Sequence, residues 1–329
     1  MTDINIFKLD GKPITKLIEV VSKGIGTLYK PTAIRKKADA EAYRIGILEK
    51  AKSKAKAERK EIELEIFERA ENRLLHRELL RQQNIEEVIQ IAGDQLNQEE
   101  SVSDDPVDDD WIARFFNIVQ DISDKDVRNL WGRILSGEVK KPNSYSFRTM
   151  DTLRNISPLE AKLFMKFSKF VLIEGKNAFV FNTNKEGNFA HGGKTLLDEY
   201  EIPYSDLLIL EDAGLIVAND VQLTINATDN STAFVYGDYA VVFEAPEKSP
   251  PISTECICLT RAGYELVNLT EQSLVLEYLN QVAEMVKEKG MKVFYSEIDG
   301  FSESGVVINE SEAIELPFYS EESSTETET

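Results

Sequence analysis

Asn129–Met150 has the sequence N-L-W-G-R-I-L-S-G-E-V-K-K-P-N-S-Y-S-F-R-T-M, which predicts two helices joined by a short turn. We expect Gly137 to end the first helix in a left-handed conformation, as glycine often does after a last helical turn. Pro142 and Asn143 should form the turn, and a serine that follows should cap the second helix. The apolar residues of the first helix recur on one face and should be buried: Trp131, Ile134 and Leu135.

The same hairpin carries polar and aromatic side chains of the kinds found in active sites. They are Trp131, Arg133, Glu138, Ser146 and Arg148, followed by Glu160. One interpretation is structural: the two arginines form ion pairs with the two glutamates, and the hairpin stabilises the folded domain around it. The other is an enzymatic or nucleic-acid-processing site around these residues. The structural interpretation is favoured because Trp131 shares the apolar helix face.

Residues 111–170, which surround the hairpin, predict a helical domain of four short helices. Asp124 and Asp126 should lie at the start of the second helix, where acidic side chains interact favourably with the helix dipole. The pattern S-P-L-E at Ser157 predicts a capping box with proline at the first helical position.

The N-terminal segment, 1–31, predicts an amphipathic helix. Apolar residues from Pro13 to Leu28 recur every three or four positions, while Gly24 and Gly26 should weaken the end of the helix. Its hydrophobicity is too low for a membrane span. It could lie on a membrane surface, but packing on protein is favoured because a broad interfacial pattern is missing.

Residues 32–100 predict a long charged helix followed by a second helix after Asn84. Ala33 to Arg81 consists largely of strong helix formers and contains no proline. Charged residues interrupt the heptads, so oligomerisation through this helix is an open alternative. The coiled-coil seam that can be drawn runs through Ile34, Ala38, Ile45, Leu48, Ala55, Ile62 and Ile66.

The charge of the chain is distributed unevenly. The net charge is -20, yet residues 8–81 carry roughly +7, from about 19 basic and about 12 acidic residues. This basic N-terminal region, which we call the basic arm, can be a solvated helix with internal ion pairs. It can also bind nucleic acid or an anionic membrane surface in a non-specific, salt-sensitive way. The basic residues assigned to this arm are Arg35, Lys36, Lys37, Lys52, Lys54 and Lys56.

Residues 101–110 form an acidic run that we expect to be a solvated linker. Its aspartates lack the alternating pattern and the distal glutamate of an EF-hand, so the sequence does not predict a calcium site.

Residues 171–300 change to alternating strands and helices, so the predicted fold class is α+β, mostly α. A helix, the phrase L-E-D-A-G-L-I, a β-hairpin and the phrase L-T-R-A-G-Y-E-L resemble a winged-helix module in that order. The helix that would enter DNA carries Asp206, Glu211 and Asp212 and no basic residue, so phosphates would repel it. A protein-interaction or structural module is expected. The acidic tail, 301–329, should be partly disordered.

Motifs for phosphate binding, acyl transfer and metal hydrolysis do not occur in the sequence. His76 lies on the charged helix, and His191 lies in a glycine-flanked loop where we expect it to be exposed. Cys256 and Cys258 lie on a predicted strand, and we expect their sulfurs to alternate between its faces. The sequence therefore predicts no metal site and no cofactor, and it favours a protein that is not an enzyme.

The length and composition of the whole chain limit the number of domains and the cellular compartment. Its 329 residues suffice for two domains. Two cysteines fit a reducing compartment, and neither a signal pattern nor an apolar run of about 20 residues occurs. We expect a cytoplasmic protein.

The hairpin and its surroundings also carry a family resemblance. The motifs D-W-I-A-R-F-F, D-I-S-D-K-D, L-W-G-R-I-L-S-G-E and S-F-R-T-M-D-T-L-R-N-I-S-P-L-E-A-K-L-F resemble an uncharacterised bacterial family, domain of unknown function family 2806. The order of amphipathic helix, P-T-A-I-R-K-K, long charged helix and hairpin is similar to Abi-alpha abortive-infection proteins. The second resemblance implies a non-enzymatic interaction or oligomerisation protein in phage defence.

Overall fold

The computed structural model describes residues 11–26, 61–186, 194–225, 231–245, 252–270, 272–287, 290–302 and 305–317. The fold within them is α+β and mostly α, as predicted. The chain divides into two compact units, Met1–Met150 and Asp151–Thr329. This division falls inside the segment that the sequence groups into one helical domain.

The first unit is helical. Its helices are α1 (Lys12–Ile25), α2 (Glu61–Leu96), α3 (Asp109–Val119) and α4 (Lys125–Lys140), followed by α5 (Phe147–Asn155), which runs across the division.

Helix α1 packs on the rest of this unit, as the favoured interpretation of its amphipathic pattern predicted. Its apolar face is buried against α2, α3 and α4. Gly24 allows the close approach, because a Cβ there would lie 2.1 Å from Cδ2 of Phe116. Gly26, with φ 66°, ends the helix. The buried face of α1 consists of Ile14, Leu17, Val20 and Val21.

Helix α2 is one continuous helix through Asn84, so the prediction of a separate second helix after this residue is wrong. The Asn84 side chain is tied down on both sides: Nδ2 donates to the Gln120 carbonyl at 2.9 Å, and Oδ1 accepts from Arg128 at 3.0 Å. These bonds offset the low helix propensity of asparagine. The helix then buries its C-terminal half through Ile85, Val88, Ile89, Ala92 and Leu96.

The prediction that Gly137 ends helix α4 is wrong, since the helix continues to Lys140. Gly137 instead makes room for the next turn, because a Cβ there would lie 2.8 Å from the Tyr145 ring. The left-handed residue is Asn143, with φ 68°, so the predicted turn at Pro142 and Asn143 is confirmed.

The acidic run 101–110 is part of the first unit rather than a solvated linker. Val102 and Val107 are buried, and Ser103 N donates to the Lys140 carbonyl at 2.9 Å. Asp108 caps α3 by accepting a 2.8 Å hydrogen bond from the main chain of Trp111. Buried apolar residues within the run therefore hold it in place.

The second unit combines helices with an antiparallel sheet. Its helices are α6 (Pro158–Phe167), α7 (Tyr204–Asp212), α8 (Arg261–Val267) and α9 (Leu276–Lys287). Its strands are β1 (Leu172–Glu174), β2 (Asn177–Phe181), β3 (Asn184–Glu186), β4 (Lys194–Thr195), β5 (Ile216–Ile225), β6 (Ser231–Tyr236), β7 (Tyr239–Glu244), β8 (Ile252–Leu259), β9 (Lys292–Ser302), β10 (Gly305–Ile308) and β11 (Ile314–Leu316).

Within the described residues the main sheet has nine strands, in the order β10-β9-β7-β6-β1-β2-β8-β5 with β11 also paired to β9. Strands β3 and β4 form a separate pair. Aromatic rings fill the core beside the central strands, where Phe179 meets Phe181 and Phe234 edge-on at 5.3 and 5.2 Å. The sequence did not predict β9, β10 and β11, which extend ordered structure to Leu316. The remaining tail lies outside the described residues.

Candidate functional site

Trp131 of the hairpin lies in the core of the first unit. It is fully buried, and its ring meets Phe115 edge-on with centroids 5.5 Å apart. Its indole N–H is buried with no hydrogen-bond partner among the residues that the structure describes. The indole of Trp111, in contrast, donates to the Tyr145 carbonyl at 2.7 Å. Trp131 therefore contributes packing.

The Glu138 carboxylate closes the turn between α4 and α5. Glu138 is 1% exposed, and its two oxygens accept hydrogen bonds from the main-chain N–H of Asn143 at 2.6 Å and of Tyr145 at 3.0 Å. Main-chain donors that converge on a carboxylate form strong, charge-assisted hydrogen bonds. The buried carboxylate thus has a structural partner on each oxygen.

The remaining members of the predicted polar cluster lie at helix starts and near the surface. Ser146 Oγ accepts a 3.3 Å hydrogen bond from Thr149 N at the start of α5, which confirms the predicted serine cap. Arg148 is exposed and Arg133 is half-buried. Glu160 belongs to the second unit and forms the predicted capping box of α6. The pairing of these arginines with the glutamates stays a prediction.

The basic arm predicted at the N-terminus lies outside the described residues. This applies to all of its members: Arg35, Lys36, Lys37, Lys52, Lys54 and Lys56.

The first part of α2 exposes two large apolar side chains on one helix face, Phe67 and Leu74, and we call this pair the α2 stripe. Ile66, Leu79 and Leu80 are also exposed but lie on other faces of the helix. Phe67 and Leu74 are each 43% exposed, and Ile66 is 55% exposed. Phe67 and Leu74 lie about two turns apart and on the same helix face as buried Ile85. The coiled-coil seam drawn from the sequence included Ile66 but missed Phe67 and Leu74, because it followed a different heptad frame.

Lysines of α1 face the acidic run across a cleft of about 460 Å³. Lys12 forms an ion pair with Asp104, and Lys16 Nζ donates to the Ser103 carbonyl at 2.8 Å. The Lys23 Nζ atom lies 3.4 Å from Oδ1 of Asp109. Burial lowers the pKa of Lys16, while Asp105 and Asp104 oppose this shift. The cleft thus brings together the N-terminal helix and the acidic run through opposite charges.

The two histidines do not form a catalytic or metal centre within the described residues. His76 is exposed on α2, whereas His191 lies outside the described part of the chain. In that part, no group of three or more His, Cys, Asp or Glu side chains is placed to hold a metal ion.

The prediction that Cys256 and Cys258 point to opposite faces of their strand is wrong. Their sulfurs lie 3.9 Å apart. Residues i and i+2 of a strand share a face, and β8 is regular enough here to keep this relation. Cys256 is buried, whereas Cys258 is half-buried.

A family model described as "Protein of unknown function (DUF2806)" matches residues 68–283. The chain belongs to this family. The match confirms the family resemblance that the hairpin motifs carry. No curated protein and no solved structure matches the chain.

The matched part of this DUF2806 protein begins within the α2 stripe and continues through the hairpin to α9. It therefore includes Leu74 of the stripe as well as both cysteines, Cys256 and Cys258. Among the described helices of this DUF2806 chain, none combines the length and apolar character needed to cross a membrane.

Proposed function

We propose that this protein is a non-enzymatic interaction protein of the cytoplasm that binds a protein partner, or further copies of itself, through the α2 stripe. The observation that supports the proposal is the exposure of large apolar side chains along a helix whose next turns are buried. Large apolar side chains that share an exposed face of a folded protein can mark an interaction site.

The residues beside the stripe suit an interface. At about 100° per residue, glutamates lie along one side of Phe67 and Leu74, and arginines lie along the other. Interfaces commonly combine an apolar centre with a polar rim. The flanking residues are Glu68, Glu71 and Glu78 on one side, and Arg73 and Arg77 on the other.

The proposal places this interaction in phage defence or abortive infection. Its support is the order of an amphipathic helix, a long charged helix and the hairpin, which is similar to Abi-alpha proteins. The basic arm, if it contacts nucleic acid or a membrane surface, would do so without specificity.

The second unit is part of the same proposal, as a winged-helix-like module for protein contacts. The order α7, β5, β8 and α8 supports it, while α7 carries Asp206 and no basic residue. A groove lined by phosphates would repel this helix. In the larger sheet, β5 and β8 pair with each other, and β8 also pairs with β2.

An enzymatic site around the hairpin receives less support. Trp131 packs in the core, and both oxygens of Glu138 accept main-chain hydrogen bonds. A general acid or base needs contact with a substrate atom, which these buried groups do not offer.

Point substitutions in the stripe test the proposal better than truncation, because removing residues 1–81 would also remove the packed helix α1. The test variant is Phe67→Glu/Leu74→Glu. Its matched control, Asn72→Glu/Gln83→Glu, adds the same charge at exposed positions on the opposite side of α2.

We expect sedimentation velocity and native mass spectrometry to show association of the wild type and of the control but not of the stripe variant. Cells challenged with phage should lose protection only with the stripe variant. Equal association and equal protection for both variants would contradict the proposal, provided that tryptophan fluorescence shows the same fold.

A further inference from the structure

We propose that Cys256 and Cys258 form a hydroperoxide-reactive dithiol, in which Cys258 is oxidised first and Cys256 then closes a disulfide with it. The proposal concerns the second unit and is independent of the α2 stripe. It starts from the 3.9 Å separation of the two sulfurs on one face of β8.

The two thiols differ in their access to solvent. Cys256 is 1% exposed and its Sγ lies 3.4 Å from the Val221 carbonyl oxygen. Thr254, on the same strand face, donates to Sδ of Met285 on α9, so the helix covers this part of β8. Cys258 lies two residues nearer to the end of the strand and is half-buried. A small oxidant therefore meets Cys258 first.

The same contact gives the two sulfurs different acidities. The contact with Cys256 lowers the pKa of Cys258, although partial burial opposes the shift. The same contact, followed by burial, raises the pKa of Cys256. Because the thiolate is the nucleophile, Cys258 is the better prepared of the two sulfurs to attack.

The first step consumes one hydroperoxide. The Cys258 thiolate attacks a peroxide oxygen, the O–O bond breaks, and sulfur is oxidised to a sulfenic acid as hydroxide leaves and takes up a proton. In the second step, Cys256 sulfur attacks Cys258 sulfur. The S–O bond breaks, the S–S bond forms, and the Cys256 proton leaves with hydroxide as water.

For hydrogen peroxide, the sum is therefore two thiols and one peroxide giving one disulfide and two waters. No other oxidant or reductant is needed.

The neighbouring strand allows the local movement that bond formation requires. The pairing of β5 with β8 is irregular between Val217, which lies opposite Cys258, and Val221, which lies opposite Cys256. Between these two pairs, β5 advances by four residues while β8 advances by two, so β5 has two extra residues here. Two residues along a strand span about 6.6 Å between Cα atoms, which lies near the upper end for disulfides. The disulfide should accordingly be easy to reduce.

The test uses the full chain and hydrogen peroxide, followed by alkylation and trypsin. Lys248 and Arg261 bound a single tryptic peptide that contains both cysteines. We expect this peptide to lose the mass of two hydrogen atoms and to regain it on treatment with dithiothreitol. A peptide that gains only oxygen, or that stays unchanged, overturns the proposal.

The order of attack is tested with dimedone, which traps sulfenic acid. Cys256→Ser should accumulate the adduct on Cys258, whereas Cys258→Ser should form none on Cys256. The wild type provides a measurement that needs no variant: iodoacetamide should modify Cys258 before Cys256. Preferential modification of Cys256 in either experiment contradicts the assigned roles.

Discussion

The Glu138 carboxylate holds the main-chain N–H of Asn143 at 2.6 Å, although the two residues lie on either side of a turn that reverses the chain. Asn143 has φ 68°, and a second hydrogen bond to the same carboxylate comes from the main chain of Tyr145, just before the next helix. One buried carboxylate therefore fixes both the conformation of the turn and the entry into α5.

Glu138→Gln should destabilise the first unit by about 1–3 kcal/mol. The amide retains one acceptor oxygen but directs an NH2 group at a main-chain N–H, so one hydrogen bond is lost in a buried place. Tryptophan fluorescence during chemical denaturation measures the effect, because both tryptophans, Trp111 and Trp131, lie in this unit. Glu100→Gln, at an exposed position, should change the stability by less than about 0.5 kcal/mol. Equal stability of the two variants would contradict the structural role of Glu138.

Gly132→Ala should also destabilise this unit, although alanine favours helices over glycine by about 1 kcal/mol. A Cβ at Gly132 would lie 2.4 Å from Cγ2 of Ile91, at the contact between α4 and α2. Overpacking of this kind costs about 1–3 kcal/mol. The loss should be smaller in an Ile91→Gly background, because this change removes both Cγ2 and the Ile91 Cβ, which would lie 2.6 Å from the new Cβ. A gain in stability in both backgrounds would contradict the prediction, because it would show that α4 and α2 can move apart at this contact without a cost in free energy.

The contact between α1 and the acidic run should weaken at low pH. The hydrogen bond and the charge of Lys12 lower the pKa of Asp104 below its ordinary value of 3.8. Because the folded-state pKa is the lower one, this stabilisation is present above pH 3.8 and is lost as the pH falls through the lowered pKa.

Hydrogen exchange of the α1 amides, corrected for the intrinsic pH dependence, measures this contact. Exchange should rise as the pH falls through that range, and it should also rise with salt at neutral pH because both groups are exposed. Asp104→Asn should remove the dependence on Asp104 titration. The same pH profile in the variant would assign the effect to another group.

Thr260→Val should destabilise the start of α8 by about 1–2 kcal/mol. Thr260 Oγ1 donates to the Gly214 carbonyl at 2.6 Å and accepts from Gly263 N at 3.1 Å, so it joins two parts of the second unit. Thermal unfolding together with hydrogen exchange of α8 measures the loss. Thr260→Ser keeps the hydroxyl and should retain most of the stability. A loss in Thr260→Ser without a loss in Thr260→Val, which keeps a methyl group, would attribute the effect to packing of that methyl group instead.

Local sequence signals predicted the helices around the hairpin well. Ser157 caps α6 as expected, since a cap needs only residues within one turn. Asp124 was expected in the first turn of α4 and is the residue that caps it. The same signals failed at Gly137 and Asn84. Both residues would weaken an isolated helix. In the folded protein, however, the Tyr145 ring occupies the space that a side chain at position 137 would need. Hydrogen bonds with Gln120 and Arg128 hold Asn84 in place.

The candidate sites were harder to predict because they depend on exposure and on neighbouring elements. A helix wheel places Phe67 and Leu74 on the same face as Ile85, but the sequence does not reveal that Phe67 and Leu74 are exposed while Ile85 is buried. The period of a strand would have placed Cys256 and Cys258 on one face. Their contact distance and unequal burial, however, depend on the fold.

The sequence by itself determined the mostly helical α+β class, the hairpin, the serine cap of α5 and the uneven charge, because these follow from local propensity and periodicity. Tertiary structure decided that the acidic run packs on α1, that Glu138 closes a turn, and that one stretch of α2 stays exposed. These outcomes depend on residues distant in sequence competing for the same buried surface and the same hydrogen-bond partners, which local patterns do not encode.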